Sequence, residues 1–337
     1  MKRGTISSLC GALGMILLIL DSKTALRGTA EGVELCIKSL IPSLFPFFVC
    51  SSCLTSGLSG KSVPMLRWIG KLYRIPKGLE SILAVGILGG YPVGAQSVFQ
   101  AYRQGVISQK TAERMIAFCN NAGPSFIFGI AAPFFSQPYI GWILWLTQLI
   151  SGLMVAWIIP CESLSLGVVS KEDSSVSSVL ERSLRAMALV CGWVILFRLI
   201  LSFLNRWVLW LLPSGIQVLT AGLLELANGC LLLREVQPEG LRFIIASAML
   251  SFGGLCVCFQ TRSVTGDLSM GSYFPGKCLQ IMICVLLSMG AQFLFPAPER
   301  YYLPAPLPGV IVLFMGGFIA FFRIRKKRGS NPAMVGV

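Results

Sequence analysis

The stretch that decides the fold is Phe118-Cys119-Asn120-Asn121-Ala122-Gly123-Pro124-Ser125-Phe126-Ile127-Phe128-Gly129. It lies within an apolar stretch, residues 115–135, that is long enough to cross a membrane as a helix. Two amides followed by Gly and Pro replace the Leu and Ile of a plain spanning helix. Pro124 removes a backbone donor and frees a carbonyl one turn earlier, so the pattern predicts a broken helix. Unwound backbone in a membrane must be buried in protein or line a polar cavity.

Apolar stretches continue in both directions from this one. The 337 residues are 55% hydrophobic and 12% charged, whereas an ordinary soluble domain is about 25% charged. Ten apolar stretches cover residues 6–20, 37–54, 82–99, 115–135, 140–159, 184–204, 216–233, 241–259, 279–295 and 309–322. Most approach the length of about 20 residues that a membrane crossing requires. The composition predicts an all-α, multi-pass protein of the cell membrane, in contact with the lipid bilayer.

The formal net charge of +14 does not indicate a nucleic-acid partner. Lys and Arg lie in the short connections and at the two ends of the chain, as the positive-inside rule expects of membrane proteins. The basic run 323–328 follows the last apolar stretch and predicts a cytoplasmic end that contacts anionic lipid. Residues 1–25 have a basic start and an apolar stretch, so they are either a cleaved signal peptide or a retained first helix. Both alternatives place residues 21–33 outside.

Two of the apolar stretches are poor spans. Gly89-Gly90-Tyr91-Pro92-Val93-Gly94 interrupts the third, and Pro213, Gly215, Asn228 and Gly229 surround or interrupt the seventh. If both are re-entrant hairpins, more of the Lys and Arg residues lie on the cytoplasmic side than if all ten stretches cross. We therefore predict eight spanning helices and two hairpins, the first over residues 79–102.

Hairpins that enter from opposite faces are typical of transporters with inverted repeats. We predict a first membrane repeat over 1–160, a Ser-rich cytoplasmic linker over 161–182, and a second repeat with a basic tail over 183–337. Two alignments of the repeats are open. One pairs Arg114-Met115-Ile116-Ala117 with Arg242-Phe243-Ile244-Ile245, and the other pairs Gly89, Gly90 and Gln96 with Gly253, Gly254 and Gln260.

Polar groups at membrane depth are the candidate substrate-binding residues. They are Asn120, Asn121 and Ser125 in the broken helix, Tyr91 and Gln96 in the first hairpin, and Glu225 and Asn228 in the seventh stretch. Backbone shape at the hairpins and breaks depends on Gly89, Gly90, Pro92, Gly94, Gly123, Pro124, Gly229, Gly253 and Gly254. A buried carboxylate in a membrane is costly and indicates a functional site.

Structural alternatives exist for each part of this site. In the structural alternative, the two amides join neighbouring helices and bind no solute. Residues 89–96 would then be a plain turn. Glu225 could be neutral, or paired with Arg198, which is the one basic residue well inside a predicted span.

The chain contains no His, which disfavours metal binding and His-activated nucleophiles. The twelve Cys residues lie mostly in apolar stretches and are interpreted as small packing residues. No P-loop or dinucleotide fingerprint is present. We therefore predict no catalytic residues, no metal, no cofactor and no enzymatic activity.

Five motifs resemble those of the sporulation integral membrane proteins of the YlbJ type. They are Ile41-Pro42-Ser43-Leu44-Phe45-Pro46-Phe47-Phe48, Gly89 to Ala95, Cys119 to Gly129, Gly222 to Gly229, and Ser251-Phe252-Gly253-Gly254. That family is grouped with nucleoside-recognition, or gate-domain, proteins and is similar in part to nucleoside transporters. The resemblance implies a membrane protein of an endospore-forming bacterium that is needed for spore formation.

Two functions fit this resemblance. One is a transporter-like permease for a small polar, nucleoside-like solute. The other is a non-transporting scaffold of the developing spore envelope, whose partners would be further copies of the chain or other sporulation membrane proteins.

Overall fold

The computed structural model describes residues 3–58, 67–72, 80–159, 175–296, 299–304 and 306–329. Every regular element in these ranges is a helix, which confirms the all-α fold. The α-helices are α1 (Arg3–Leu20), α2 (Ser22–Leu35), α3 (Ile41–Leu58), α4 (Arg67–Leu72), α5 (Glu80–Leu88), α6 (Val93–Arg103), α7 (Gln109–Cys119), α8 (Pro124–Phe126), α9 (Pro138–Ile158), α10 (Val176–Trp207), α11 (Ser214–Leu224), α12 (Leu226–Leu231), α13 (Glu239–Phe252), α14 (Gly254–Thr265), α15 (Tyr273–Ala291) and α16 (Pro306–Gly329). Two π-helical segments, Cys36–Leu40 and Ile127–Ala131, continue α2 into α3 and extend α8.

Six helical units in the described part of the chain are long and apolar enough to cross a membrane. They are Ser22–Cys53, Gln109–Phe134, Pro138–Ile158, Val176–Trp207, Glu239–Thr265 and Tyr273–Leu294. Shorter apolar segments, Gly11–Leu20 and Pro306–Ala320, lie near the two ends. The six long units coincide with six of the eight predicted crossings, and the two shorter segments lie at the positions predicted for the first and the last crossing. The chain is a multi-pass membrane protein.

Both predicted hairpins are pairs of short helices. In the first, α5 and α6 are joined by a turn at residues 89–92 and pack so closely that a Cβ atom on Gly94 would touch Gly86. In the second, α11 and α12 meet at Glu225, and Gly229 packs directly against Gly222. The second turn therefore lies at Glu225. Our prediction that Asn228 and Gly229 interrupt this stretch is wrong, because both residues lie within α12.

Two connections differ from the predictions. Residues 21–33 were expected as an external connection but form most of α2, which packs on α10 at Gly28 and Gly32. The charges of α2 are accommodated by pairing, since Glu31 accepts hydrogen bonds from Arg27 and Arg198. Residues 161–174 of the predicted linker lie outside the described ranges, whereas its residues 176–182 belong to α10. This helix begins at Val176 because the Ser175 side chain caps it.

The same order of elements occurs twice. Each half contains a long helix (22–58 or 176–207), a hairpin (80–103 or 214–231), a broken helix (109–134 or 239–265) and a further helix (138–158 or 273–291). The Glu113 carboxylate accepts a hydrogen bond from the Ser269 backbone N–H at 3.1 Å, and the Glu239 carboxylate accepts one from the Ser136 backbone N–H at 2.6 Å. Such reciprocal contacts are expected of two repeats related by a twofold axis.

The observed breaks decide between the two open alignments. Arg114 and Arg242 each lie in the first segment of a broken helix, whereas Gly89 is in a hairpin turn and Gly253 is in a break. The pairing of Gly89, Gly90 and Gln96 with Gly253, Gly254 and Gln260 is therefore wrong. The repeat boundaries, and the membrane face from which each hairpin enters, stay predictions.

Candidate functional site

Both hairpin turns and the break after α7 meet at one cavity. Its volume of about 20 Å³ is enough for a single water molecule. The residues around it are Gly89, Gly90 and Tyr91 of the first hairpin, Glu225 and Leu226 of the second, Gly123, Ser125 and Phe126 after α7, and Leu40, Leu44, Val190, Val194, Val257 and Gln260. The structure thus brings together three predicted binding side chains, those of Tyr91, Ser125 and Glu225.

The first hairpin touches the break through backbone. Gly90 has φ +71°, and a Cβ atom there would lie 2.7 Å from the Gly123 nitrogen, so glycine is required at this contact. The Tyr91 hydroxyl was predicted to face a solute. Instead it donates a hydrogen bond to the Leu250 carbonyl at 3.1 Å, which ties the first hairpin to the end of α13.

The second hairpin buries a carboxylate at its turn. Glu225 is 3% exposed and caps α12, accepting hydrogen bonds from the backbone N–H groups of Ala227 at 3.1 Å and Asn228 at 2.7 Å. The Asn228 amide donates to the same carboxylate, so this side chain positions Glu225. The proposed ion pair with Arg198 is wrong, because Arg198 binds Glu31.

Ser125 supplies an uncommitted hydroxyl to the cavity. It lies in the first turn after the break, is 7% exposed, and its Oγ atom has no hydrogen-bond partner among the described residues. A buried hydroxyl without a partner costs about 1 to 3 kcal/mol. The cavity therefore offers an unmet hydrogen-bonding group, as a ligand site would.

The two amides of the break belong to a neighbouring polar cluster. Neither Asn120 nor Asn121 lines the cavity. The Nζ atom of Lys277 on α15 donates to the Asn120 carbonyl at 2.5 Å, to Asn121 Oδ1 at 2.8 Å and to Gln280 Oε1 at 3.0 Å. Asn120 Nδ2 donates to Thr261 Oγ1 at 2.8 Å. The break is thus held by side chains of α14 and α15.

A chain of buried polar groups continues from this cluster across the helix bundle. Gln280 Nε2 lies 3.4 Å from Ser151 Oγ, which donates to the Gln148 carbonyl at 2.9 Å. Ser251 Oγ lies 3.2 Å from Gln148 Oε1. These contacts connect the first broken helix, through α15 and α9, to the second.

Lys277 in the polar cluster, like Gln260 at the cavity, is a residue that the sequence interpretation did not assign to the site. Arg198 was taken as the one basic residue well inside a span, because Lys277 lies just before the apolar stretch 279–295. The helix α15 begins earlier, at Tyr273, and Lys277 is 0% exposed. A signal was present, since Tyr273, Lys277 and Gln280 share one helix face at i, i+4 and i+7 spacing.

The remaining predicted residues shape the backbone or lie apart. Gln96 is half-buried on α6 and does not line the cavity. Pro92 is the residue immediately before α6, and Pro124 is the first residue of α8. Gly253 and Gly254 form the second break with φ +83° and +82°. Within the described residues, no three His, Cys, Asp or Glu side chains are grouped as a metal site requires.

Comparison with known proteins agrees with the motifs. The chain is 24% identical over 311 residues to the sporulation integral membrane protein YlbJ of Bacillus subtilis (strain 168), and the alignment covers 78% of this chain and 76% of that protein. No family model matches the chain, and no solved structure matches it. The chain is therefore a distant relative of the sporulation integral membrane proteins of the YlbJ type.

Proposed function

We propose that this chain is a transporter-like permease for a small polar, nucleoside-like solute and that it acts in spore formation. The observation that carries the transport proposal is the meeting of both hairpin turns and the break after α7 at one cavity. Secondary transporters bind solutes near the membrane midplane, where discontinuous helices of two repeats meet. The sporulation context rests on the similarity to the Bacillus subtilis sporulation protein.

The polar groups of the cavity suit an uncharged solute with hydroxyl and amide groups. Glu225 supplies carboxylate oxygens that accept hydrogen bonds, and the unpartnered Ser125 hydroxyl donates or accepts one. The other side chains around the cavity are mainly Leu, Val and Phe, which is typical of ligand pockets with a few polar groups that fix orientation. A nucleoside matches this lining, because its sugar has hydroxyl groups for the polar side chains and its flat base can pack against the apolar ones.

In this proposal the structure corresponds to a closed state of the permease. A cavity of about 20 Å³ is far below the roughly 300 to 1,000 Å³ of small-molecule pockets. A solute therefore enters only if a hairpin turn moves. The contacts to be broken include that of Gly90 with Gly123 and the hydrogen bond from Tyr91 to Leu250.

Uptake of tritiated uridine into liposomes that contain the purified protein tests the transport proposal. We expect Ser125→Ala and Glu225→Gln to lower uptake about tenfold, the equivalent of about 1.4 kcal/mol of lost binding. Ser97→Ala is the matched control, since the Ser97 hydroxyl bonds to the Val93 carbonyl of its own helix at 3.0 Å and lies outside the cavity. If the Glu225→Gln variant takes up uridine as fast as the wild type does, the assigned site is wrong.

The scaffold alternative predicts a different pattern. Liposomes with wild-type protein would take up neither uridine nor adenosine faster than empty liposomes. Ser125→Ala and Glu225→Gln would then support as many heat-resistant spores as the wild type when each replaces it in its host. That pair of results would favour a scaffold over a permease.

A further inference from the structure

Lys277 is a buried ammonium group without an ion-pair partner among the described residues. The side chain is 0% exposed, and its three hydrogen bonds all go to neutral oxygens. Burying a charge is costly unless it is well solvated by its surroundings. The oxygens of the break therefore stabilise a positive charge at this position.

The three acceptors have the chemistry of a monovalent-cation site. One is the carbonyl of Asn120, the residue that follows α7, and the other two are the side-chain amide oxygens of Asn121 and Gln280. Hard cations prefer such oxygen ligands. In transporters with discontinuous helices, unwound carbonyls coordinate Na⁺. Here the same kind of oxygen set surrounds Nζ at 2.5 to 3.0 Å.

We propose that Lys277 is a tethered cation that occupies a Na⁺-like site at the break after α7. The ammonium supplies the charge that a bound alkali ion would supply, and it is delivered by α15 from the other repeat. The wild-type protein then needs no alkali ion at this break. Shortening the side chain empties the site and exposes its oxygens to Na⁺.

Thermal unfolding of the full chain in detergent, in NaCl and in choline chloride of equal ionic strength, tests this inference. The wild type should unfold at the same temperature in both salts. Lys277→Ala should unfold at a lower temperature in choline and regain about 5 °C in NaCl, in a saturable way, because Na⁺ binds only the folded state. Lys277→Met, which fills the space without a charge, should be destabilised equally in both salts.

Lys38→Ala is the control, because Lys38 is exposed and pairs with Glu34 on the surface of the bundle. It should behave as the wild type does. The proposal is wrong if Lys277→Ala unfolds at one temperature in both salts, if it can be recovered folded in neither salt, or if Na⁺ stabilises the wild type equally. Recovery of folded Lys277→Ala in NaCl but not in choline would support it.

Discussion

The break after α7 and the break after α13 hold the same place in the order of elements, yet they are built from different residues. After α7, residues 120–123 separate two helical segments, and Gly123 is extended with ψ 161°. After α13, Gly253 alone lies between α13 and α14, and its N–H still bonds to the Met249 carbonyl at 2.8 Å. The first break is an unwound segment, while the second is a sharp turn in an almost continuous helix.

The partners of the two breaks differ accordingly. The first depends on side chains from other helices, above all Lys277 and Thr261. The second is formed by two glycines with positive φ, and near it the Leu250 carbonyl accepts a hydrogen bond from the Tyr91 hydroxyl. The first break is an unwound segment held by a charge on another helix, α15, so any movement of α15 relative to α7 would change its hydrogen bonds. We therefore expect the first break to change conformation more readily than the second.

The largest effect is expected at the first break. Asn121→Leu keeps the branched shape of the side chain but removes the Oδ1 acceptor of the buried Lys277 ammonium and the Nδ2 donor to the Phe118 carbonyl. We expect a loss of about 3 kcal/mol in the free energy of unfolding, measured by thermal unfolding in detergent, because an acceptor is taken from a buried charge. The matched change near the second break, Ser251→Ala, removes only neutral hydrogen bonds and should cost about 1 kcal/mol. Equal losses of unfolding free energy in the two variants would contradict the proposed difference between the two breaks.

The second break should be sensitive to glycine replacement. Gly254 has φ +82°, and a Cβ atom there would lie 3.0 Å from the Gly222 carbonyl oxygen. Left-handed backbone costs an ordinary residue about 1 to 2 kcal/mol, so Gly254→Ala should lower the unfolding free energy by about 2 kcal/mol. In Gly192→Ala, the control in the middle of α10, the added Cβ meets nothing within 4 Å. A loss in the control as large as that in Gly254→Ala would show that the effect is not local.

The smallest effect is expected for the contact between the first hairpin and the second break. Tyr91→Phe deletes the hydrogen bond to the Leu250 carbonyl and should cost about 1 kcal/mol, since the adjoining cavity can admit a water molecule to that carbonyl. Tyr139→Phe is the control, because its hydroxyl contacts the Leu294 carbonyl at an exposed position. If thermal unfolding shows a larger loss of stability for Tyr139→Phe than for Tyr91→Phe, the result would argue against this contact.

Local rules account for the parts of the site that the sequence predicts. Gly89-Gly90-Tyr91-Pro92 and Asn120 to Pro124 combine Gly and Pro in ways that end helices wherever they occur. The roles of Lys277 and Arg198 could not be read this way. Their partners are 157 and 167 residues away in the chain. Periodicity within one helix does not reveal which distant helix packs against it.

The long helix that begins at α2 was not predicted, for a related reason. Residues 21–33, which include Lys23, Arg27 and Glu31, were placed outside because they follow the first apolar stretch. In the structure, α2 packs along α10, where Arg198 pairs with Glu31. The packing partner, rather than local composition, decides that this segment is part of a long helix.

The most direct test of the two-repeat architecture is to determine on which side of the membrane the base of each hairpin lies. Single Cys residues at positions 104 and 237, in a Cys-depleted background, can be labelled with a membrane-impermeant maleimide in intact cells and in inverted vesicles. Gln104 follows the first hairpin and Gln237 follows the second. The account predicts that position 104 is labelled only in inverted vesicles and position 237 only in intact cells. Labelling of both positions from the same side would contradict hairpins that enter from opposite faces.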